Sequence, residues 1–254
     1  MRFFRSLVVS VIVSSMVLFV LAGCAGSDEI VVGHDSNFVP FEYRDSETGD
    51  YVGFDIDLVA AIAEEAGFEY RTEPMAFDGL IPSIMADKID MAAAGMTITE
   101  ARQEEIDFSR PYYDSGLHLM VHIDNDDITA IEDLEGKVVA TRSGTTSYNY
   151  LRDHELVDND HITPYENIIE AYQELETGAA DAVFFDSPAL LRYAATEGEG
   201  KVKIVGPLYE GQQYGFGFEK GDELRDQVDE ALETLIENGT YAEIYEKWFG
   251  EKPE

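Results

Sequence analysis

The stretch IDMAAAGMTITEAR, Ile89 to Arg102, decides the fold class, because it reads as a strand that runs directly into a helix. IDMAAAG is an apolar strand, and Thr97 or Thr99 is of the residue type that caps a helix N-terminus. Outward from this unit, short apolar strands alternate with amphipathic helical stretches from Glu29 onward. Such alternation predicts an α/β fold with largely parallel sheets.

The same strand–loop–helix unit recurs on both sides of this stretch. Before it, EIVVGHD is a buried-type strand, and DIDLVAAIAEEAG is a helix with Asp55 predicted as its N-cap and Gly67 as its C-cap. After it, KVVATR and ADAVFFD are strands that lead into further helices. Two such α/β units, with extended crossovers near Tyr112–Gly116 and Gly211–Tyr214, indicate a two-lobed, hinged body.

Acidic residues dominate the composition: 52 Asp and Glu stand against 17 Lys and Arg, and the formal net charge is −35. This balance excludes nucleic acid as a partner, because binding phosphates requires a basic face. The acidic residues are spread along the chain, so they indicate a solvated acidic surface. Salt reduces their repulsion, since the Debye length falls from about 10 Å at 0.1 M to about 3 Å at 1 M. We therefore hypothesise adaptation to high salt.

Residues 1–23 are predicted to be a lipoprotein signal peptide. Arg2 and Arg5 form a cationic segment, and the apolar run Leu7–Ala22 follows. A transmembrane anchor is one alternative, but this run is shorter than the roughly 20 residues that span a bilayer. The run ends in LAGC, which resembles the lipobox of bacterial lipoproteins, and Cys24 is the only cysteine. The resemblance implies lipidation of Cys24 and an extracytoplasmic protein tethered in the periplasm or at the cell surface; an ordinary signal peptide with an incidental cysteine is the other alternative.

Arg102 is an unexpected residue for its place in the chain. It lies in the first turn of the helix that follows TIT, where the helix dipole favours acidic side chains. The position becomes favourable if an anion binds there, because backbone N–H groups and a guanidinium can then converge on one carboxylate. The alternative is a surface arginine paired with Glu104, Glu105 or Asp107. The residues alone leave both interpretations open.

The other candidate site residues follow strands. RSGTTS, Arg142 to Ser147, is either a loop whose amides approach a ligand or an ordinary loop whose Ser and Thr cap the next helix. Asp186 ends the strand ADAVFF, where open α/β sheets bind ligands, and its alternative role is helix N-cap. Asp35 stands similarly after IVVGH. Phe38 and Phe77 are either core residues or walls for the aliphatic part of a ligand.

Signatures of enzymes and metal sites are not found in the sequence. It contains no G-x-S-x-G, P-loop, G-x-G-x-x-G or H-E-x-x-H pattern. His118 and His122 are four residues apart, but they lie in a strand-like segment, where this spacing does not make a helical ligand pair. We predict no catalytic residue, no metal and no cofactor.

Several ordered segments of the chain carry a resemblance to a known family. They are FVPFEY, YVGFDIDLVAAIA, FDGLIPSI, AAAGMTITEARQEEIDFSRPYY, DLEGKVVATRSGTTS, ADAVFFDSP, QQYGFGF and LRDQVDEALETLIENGTYAEIYEKWFG. With them the chain resembles the polar amino-acid solute-binding proteins of ABC importers, and among these most closely the glutamine binders. The resemblance implies a two-lobed type II periplasmic-binding-protein fold with the ligand in the interlobe cleft. Lobe 1 would comprise residues 28–112 and 213–254, lobe 2 residues 116–209, and the two hinges residues 112–116 and 210–214.

The resemblance also implies which residues hold the ligand. Arg102 would grip the α-carboxylate, Asp186 would take the α-ammonium, Phe38 and Phe77 would sandwich the side chain, and Asp35 would meet its polar tip. The implied set is Asp35, Phe38, Phe77, Ala94, Gly95, Thr97, Arg102, Arg142, Thr145, Thr146, Phe185 and Asp186.

Three positions depart from the glutamine binder. Arg142 stands where that protein has a lysine, Phe185 where it has a histidine, and Thr146 where it has a glycine. An acceptor from Asp35 and a donor from Arg142 suit a neutral amide, which needs one of each. Glutamine is therefore the predicted ligand.

The expected function follows from the family. A monomeric, lipid-anchored protein would capture a polar L-amino acid by hinge closure and deliver it to an ABC permease in the membrane. Two alternatives share the fold: an exported dehydratase of the prephenate or arogenate type, which needs a poised general acid or base, and a ligand-sensing domain of a signalling system.

Overall fold

The computed structural model describes residues 29–253, so the predicted signal peptide and Cys24 lie outside the described residues. In chain order the strands are β1 (Ile30–His34), β2 (Asn37–Phe38), β3 (Glu42–Arg44), β4 (Tyr51–Val52), β5 (Tyr70–Pro74), β6 (Met91–Ala92), β7 (Asp107–Phe108), β8 (Tyr113–His122), β9 (Val139–Arg142), β10 (Ile162–Tyr165), β11 (Ala182–Asp186), β12 (Val202–Tyr214) and β13 (Gly217–Phe218). The α-helices are α1 (Phe54–Ala66), α2 (Leu80–Ile84), α3 (Glu100–Glu105), α4 (Thr146–Asp153), α5 (Ile168–Thr177), α6 (Ser187–Ala194), α7 (Glu223–Asn238) and α8 (Thr240–Phe249). Single 3₁₀ turns cover Phe77–Gly79, Ile131–Leu134 and Asn159–His161.

Two five-stranded sheets organise the molecule. The first has the order β5-β1-β6-β13-β7, and β1 pairs in parallel with both β5 and β6. The second has the order β10-β9-β11-β8-β12, and β9 pairs in parallel with β10 and β11. A small three-stranded sheet, β2-β3-β4, accompanies the first. Strands alternate with helices in both halves, so the predicted α/β class is confirmed.

Two long strands of the second sheet, β8 and β12, run side by side, and β12 reaches the first sheet region where Tyr214 pairs with Thr97. They pair in antiparallel fashion, with Gln212 opposite Ser115 and Tyr214 opposite Tyr113. Just before β8, the Tyr112 N–H donates to the carbonyl of Tyr214 over 2.9 Å. The segments predicted as hinges lie in this paired region, while the lobe boundaries stay a prediction.

An aromatic cluster packs this paired region onto the first sheet's helices. The Phe41 ring lies 4.9 Å from Tyr113, 5.3 Å from Tyr214 and 5.6 Å from Phe249, measured between centroids. Edge-on aromatic pairs of this kind contribute about 0.5–1.5 kcal/mol each beyond the area that they bury. Through Phe41, Tyr113 at the start of β8 and Tyr214 at the end of β12 are thus packed against helix α8.

The N-terminus of α1 differs from the prediction. Gly53, not Asp55, is the N-cap, and its backbone has a φ of 146° that a side chain rarely adopts. A Cβ at Gly53 would lie 2.0 Å from the carbonyl oxygen of Phe41, so only glycine fits where the chain passes β3. Asp55 is instead fully buried in the first turn, whereas Gly67 is the left-handed C-cap as predicted.

Within residues 29–253, no helix has both the length and the apolar character that crossing a membrane requires.

Candidate ligand-binding site

A small pocket lies between the two sheet regions. The lining residues are Phe38, Phe77, Ala94, Gly95, Thr97, Arg102, Arg142, Thr145, Thr146, Phe185 and Asp186. All of them belong to the predicted ligand-binding set, and Asp35 is the one member of that set that does not line the pocket. Their binding roles stay predictions.

Arg102 points into the pocket from helix α3. Thr99 is the N-cap, and its hydroxyl oxygen accepts from the Arg102 N–H over 3.2 Å. The guanidinium donates to the carbonyl of Thr97 over 2.7 Å and, across the cleft, to that of Gly144 over 3.1 Å. Burial lowers the pKa of Arg102 to about 10, which leaves it charged at neutral pH. Among the described residues it has no carboxylate within ion-pair distance, so the alternative of a surface pair with its acidic neighbours is not realised.

Asp186 brings the opposite charge to the same pocket. It stands at the N-cap position of α6, but its side chain makes no capping hydrogen bond. One carboxylate oxygen, Oδ2, accepts from the Tyr214 hydroxyl over 2.5 Å. The other, Oδ1, is buried and has no hydrogen-bond partner among the described residues. Burial raises the pKa of Asp186 to about 6. An acceptor left in this state costs about 1–3 kcal/mol, so a donor from a ligand is expected at Oδ1.

Asp35 and Arg142 form an ion pair across the cleft. Arg142 Nη1 donates to Asp35 Oδ2 over 2.5 Å, and each side chain is only 3% exposed. Arg142 Nε also donates to the carbonyl of Glu166 over 3.0 Å. A buried pair of this kind requires such additional hydrogen bonds to offset its desolvation. Asp35 is bonded to Arg142 and does not line the pocket. Its direct contact with a ligand stays a prediction.

Three phenylalanines form the apolar walls. Phe38 and Phe185 meet edge to face, with ring centroids 5.8 Å apart, and both are almost fully buried. Phe77 lies under both cations: the guanidinium carbons of Arg102 and Arg142 are 5.2 Å and 5.4 Å from its ring centroid. The pocket therefore combines apolar walls with a few convergent charges, as small-molecule sites do.

The known proteins that the chain resembles identify its family. The sequence profile of the bacterial extracellular solute-binding proteins, family 3, matches residues 30–251. The chain belongs to this family. An arginine-binding periplasmic protein of Mannheimia haemolytica is 34% identical over 242 residues, which cover 92% of this chain and 98% of that protein.

Solved structures agree. An ancestral arginine-binding protein bound to glutamine is 42% identical, with a TM-score of 0.82 and coverage of 88% of this chain and 98% of that one. The ancestral amino acid-binding protein AncCDT-1, a precursor of cyclohexadienyl dehydratase, is 38% identical, with a TM-score of 0.79 and coverage of 87% and 95%. The predicted type II periplasmic-binding-protein fold is thereby confirmed, as is the resemblance to solute-binding proteins.

In this solute-binding protein, Gln212 does not line the pocket but bonds two residues that do, and we did not predict it. Its side-chain oxygen accepts from the hydroxyl of Thr97 over 3.1 Å and from that of Thr146 over 3.0 Å. Each hydroxyl has one proton, so both oxygens are left with only lone pairs to offer to a ligand. Gln212 lies in the QQYGFGF segment and in the predicted hinge 210–214, so the sequence indicated that this region matters. Neither pattern indicated that the Gln212 side chain bonds Thr97 and Thr146.

Helix α4 brings a second helix N-terminus to the pocket. Its N-cap is Thr145, whose hydroxyl oxygen accepts from the Tyr148 N–H over 3.4 Å and donates to the Arg142 carbonyl over 2.7 Å. Thr146, the first helical residue, lines the pocket, so the positive end of the α4 dipole faces it. The Arg142–Ser147 loop thus caps α4 and lines the pocket, while the approach of its backbone amides to a ligand stays a prediction.

Proposed function

We propose that this protein captures an L-amino acid in the pocket and delivers it to an ABC permease. One observation carries the proposal: within residues 29–253, Arg102 has no carboxylate partner, Asp186 has a carboxylate oxygen without a hydrogen-bond partner, and both line the same small pocket. An α-carboxylate would pair with the first and an α-ammonium with the second. A zwitterionic head group supplies both charges at once.

We propose glutamine as the ligand, on the balance of buried charge. The pocket and its border hold two cations, Arg102 and Arg142, and two anions, Asp35 and Asp186. A zwitterion with a neutral side chain keeps this balance. A glutamate side chain would add an uncompensated anion, and an arginine side chain would place a cation beside Arg142. Arg142 would donate to the amide oxygen of the ligand, with Asp35 acting through Arg142. Ancestral arginine-binding relatives were solved with glutamine and with arginine, so they support an amino-acid ligand, and the choice of glutamine rests on the charge balance.

Capture would proceed by closure of the cleft. Several contacts cross it: the guanidinium of Arg102 to Gly144, the Asp35–Arg142 pair, and the bridge that Gln212 makes between Thr97 and Thr146. A ligand held by groups from both sides stabilises the closed form by its differential affinity for that form.

The dehydratase alternative has less support from the pocket. Such an enzyme needs a general acid or base beside a leaving hydroxyl. Among the described residues that line the pocket, Asp186 is the only carboxylate and none is a histidine. Asp186 is required for the α-ammonium in the proposed binding mode. The relative AncCDT-1 is itself an amino acid-binding protein.

The proposal includes the setting of the molecule. The LAGC sequence supports lipidation of Cys24 and attachment to the outside of a membrane, where the monomer would meet its permease. The net charge of −35 supports a surface adapted to high salt.

A thermal-shift screen of the mature protein against all common amino acids, in molar KCl, tests the proposal. Glutamine is expected to raise Tm, because a ligand that binds only the folded state stabilises it by about 2.7 kcal/mol at a hundredfold excess over Kd. A rise of Tm with arginine but not with glutamine would show that glutamine is not the ligand, while the proposed capture of an amino acid would stand. No response to any amino acid, or turnover of prephenate or arogenate, would overturn the binder itself.

A further inference from the structure

Asp55 is a buried carboxylate that does not line the pocket yet is bonded to it. It lies in the first turn of α1 and is 0% exposed. Its Oδ2 accepts two hydrogen bonds, from the Gly95 N–H over 2.8 Å and from the Tyr112 hydroxyl over 2.7 Å. Gly95 lines the pocket, and Tyr112 immediately precedes the crossing strand β8. One oxygen atom therefore joins the pocket wall to the start of a hinge strand.

The bond to Asp55 sets the direction of a peptide group at the pocket. In a trans peptide the N–H and C=O point to opposite sides, so the Ala94 carbonyl is turned away from Asp55. On its other side Gly95 is in close contact with Phe38, because a Cβ there would lie 2.3 Å from the Phe38 ring. Gly95 also has a φ of 51°, in the left-handed region. This segment is thus held between a buried hydrogen bond and an aromatic ring.

Tyr112 is fixed at the other end of the bridge. Its ring stacks on Phe216, with centroids 4.4 Å apart, and its carbonyl accepts from the Tyr241 hydroxyl over 2.5 Å. Its N–H donates to Tyr214, the residue whose hydroxyl holds Asp186. Movement of Tyr112 relative to Gly95 would therefore change the distance between Gly95 and Asp186, which both line the pocket.

Glu42 completes the surroundings of Asp55. It is fully buried, and both of its carboxyl oxygens lack hydrogen-bond partners among the described residues, as does Asp55 Oδ1. Burial and the charge of Asp55 hold the pKa of Glu42 well above its usual range, and Asp35, Arg142 and Asp186 are the other charged groups that act on it. A proton on Glu42 turns one of these unpartnered acceptors into a donor. Burial raises the pKa of Asp55 as well, to about 7, although the hydrogen bonds from Gly95 and Tyr112 favour its ionised form.

We propose that Asp55 is a positioning residue for amino-acid capture. Its carboxyl group holds the Gly95 peptide and the Tyr112 end of the hinge strand in one fixed relation. This proposal rests on the proposed function, because its effect is on ligand affinity. Removing the carboxylate would leave every pocket-lining side chain in place but free the wall to move relative to the hinge.

Three variants and a matched control separate positioning from simple stability. Asp55→Ala removes both acceptors, Asp55→Asn keeps one oxygen acceptor without the charge, and Tyr112→Phe removes only a hydroxyl. Asp57→Asn is the control, since Asp57 lies in the same first turn of α1 but bonds Lys247 and Trp248. For each variant, Kd for glutamine is measured by calorimetry and Tm by circular dichroism.

The expected order of Kd is Asp55→Ala above Asp55→Asn above the unmodified protein, with Asp55→Ala weaker by about tenfold or more. Tyr112→Phe should weaken binding by about threefold to tenfold with its fold intact. Asp57→Asn should lower Tm and leave Kd unchanged.

Two outcomes overturn parts of this account separately. Suppose that the unmodified protein binds glutamine, and that Tyr112→Phe and the folded Asp55 variants bind it with the same Kd. The positioning role is then wrong and the proposed function stands. If the unmodified protein binds no amino acid, the proposed function fails and this role fails with it. Should Asp55→Ala not fold, Asp55→Asn and Tyr112→Phe decide.

Discussion

Burial acts in opposite directions on Arg102 and Asp186, two of the charged residues that line the pocket. It raises the pKa of Asp186 to about 6 and lowers that of Arg102 to about 10, because a low-polarity environment disfavours either charged form. Both residues nevertheless stay charged at neutral pH. Each charge is therefore available to a ligand group of opposite sign. Pairing with that group would replace the favourable interaction with water that burial has removed.

The raised pKa of Asp186 predicts a pH dependence of binding. An α-ammonium stabilises the ionised carboxylate and so lowers its pKa, which means that affinity is complete above the pKa of about 6 and falls as pH drops through it. The loss approaches tenfold in Kd per pH unit below that value. Calorimetry of glutamine binding between about pH 5 and pH 8 measures this, and buffers of different ionisation enthalpy should report proton release at the acidic end. A Kd that is constant over this range contradicts the ammonium role.

Replacing Arg102 by alanine should abolish binding without unfolding the protein. The variant loses the guanidinium proposed for the α-carboxylate, and charged hydrogen bonds contribute about 1.5–3 kcal/mol each, so Kd should rise at least about a hundredfold. Arg152→Ala is the matched control, because Arg152 is 45% exposed, forms an ion pair with its neighbour Asp153 and lies over the Tyr148 ring, and it does not line the pocket. Glutamine binding by Arg102→Ala at unchanged affinity, with normal circular dichroism, would refute the carboxylate role.

At the scale of elements, the turn between β6 and α3 is shaped by close packing. Gly95 in this turn has a left-handed φ of 51°, and a Cβ on it would lie 2.3 Å from the Phe38 ring. That ring cannot move aside easily, since it stacks on Phe41 and meets Phe185 edge to face. Gly136 has a similar φ of 73°, but a Cβ there would meet nothing within 4 Å.

This contrast predicts different effects of two glycine-to-alanine changes. Both variants should lose about 1–2 kcal/mol of unfolding free energy from the left-handed backbone. Gly95→Ala should lose a further 1–3 kcal/mol or so from overpacking and should bind glutamine at least about tenfold more weakly. Gly136→Ala should bind normally. Denaturant unfolding and calorimetry measure the two quantities, and equal Kd values for both variants would show that the turn does not need glycine for function.

At the scale of the whole molecule, uncompensated negative charge is the main electrostatic property. The sequence holds 52 acidic and 17 basic residues. Apart from Asp35–Arg142, every ion pair among the described residues has a partner whose side chain is at least 33% exposed. Exposed pairs contribute about 0–1 kcal/mol, so they do not offset the repulsion.

Salt should therefore stabilise the mature protein. Screening shortens the range of repulsion, and Tm should rise continuously from about 0.1 M to about 2 M KCl. Sucrose at matched osmolality is the control, because it favours the compact state without screening charge. A Tm that is higher in dilute buffer than in molar KCl would contradict the hypothesis of adaptation to high salt.

Local interactions explain the parts of this protein that could be predicted from its sequence. Strand–helix alternation, the Thr99 N-cap and the Gly67 C-cap depend on neighbours within a few residues, and the structure has them. Asp55 was predicted as a cap because its spacing fits one, but the close passage of β3 forces Gly53 into that position. The bonds from Asp55 to Gly95 and Tyr112 span 40 and 57 residues of chain, so no local pattern could indicate them.

The α/β class, the excess of acidic residues and, through family motifs, the residues that line the pocket could all be predicted from the amino-acid sequence. The pairing of side chains could not: Asp35 bonds Arg142, Gln212 bonds Thr97 and Thr146, and Asp186 bonds Tyr214. These pairs join residues far apart in the chain, and their energies depend on burial and distance, which arise only when the two sheet regions meet. That meeting is also what leaves Arg102 and one oxygen of Asp186 open to a ligand.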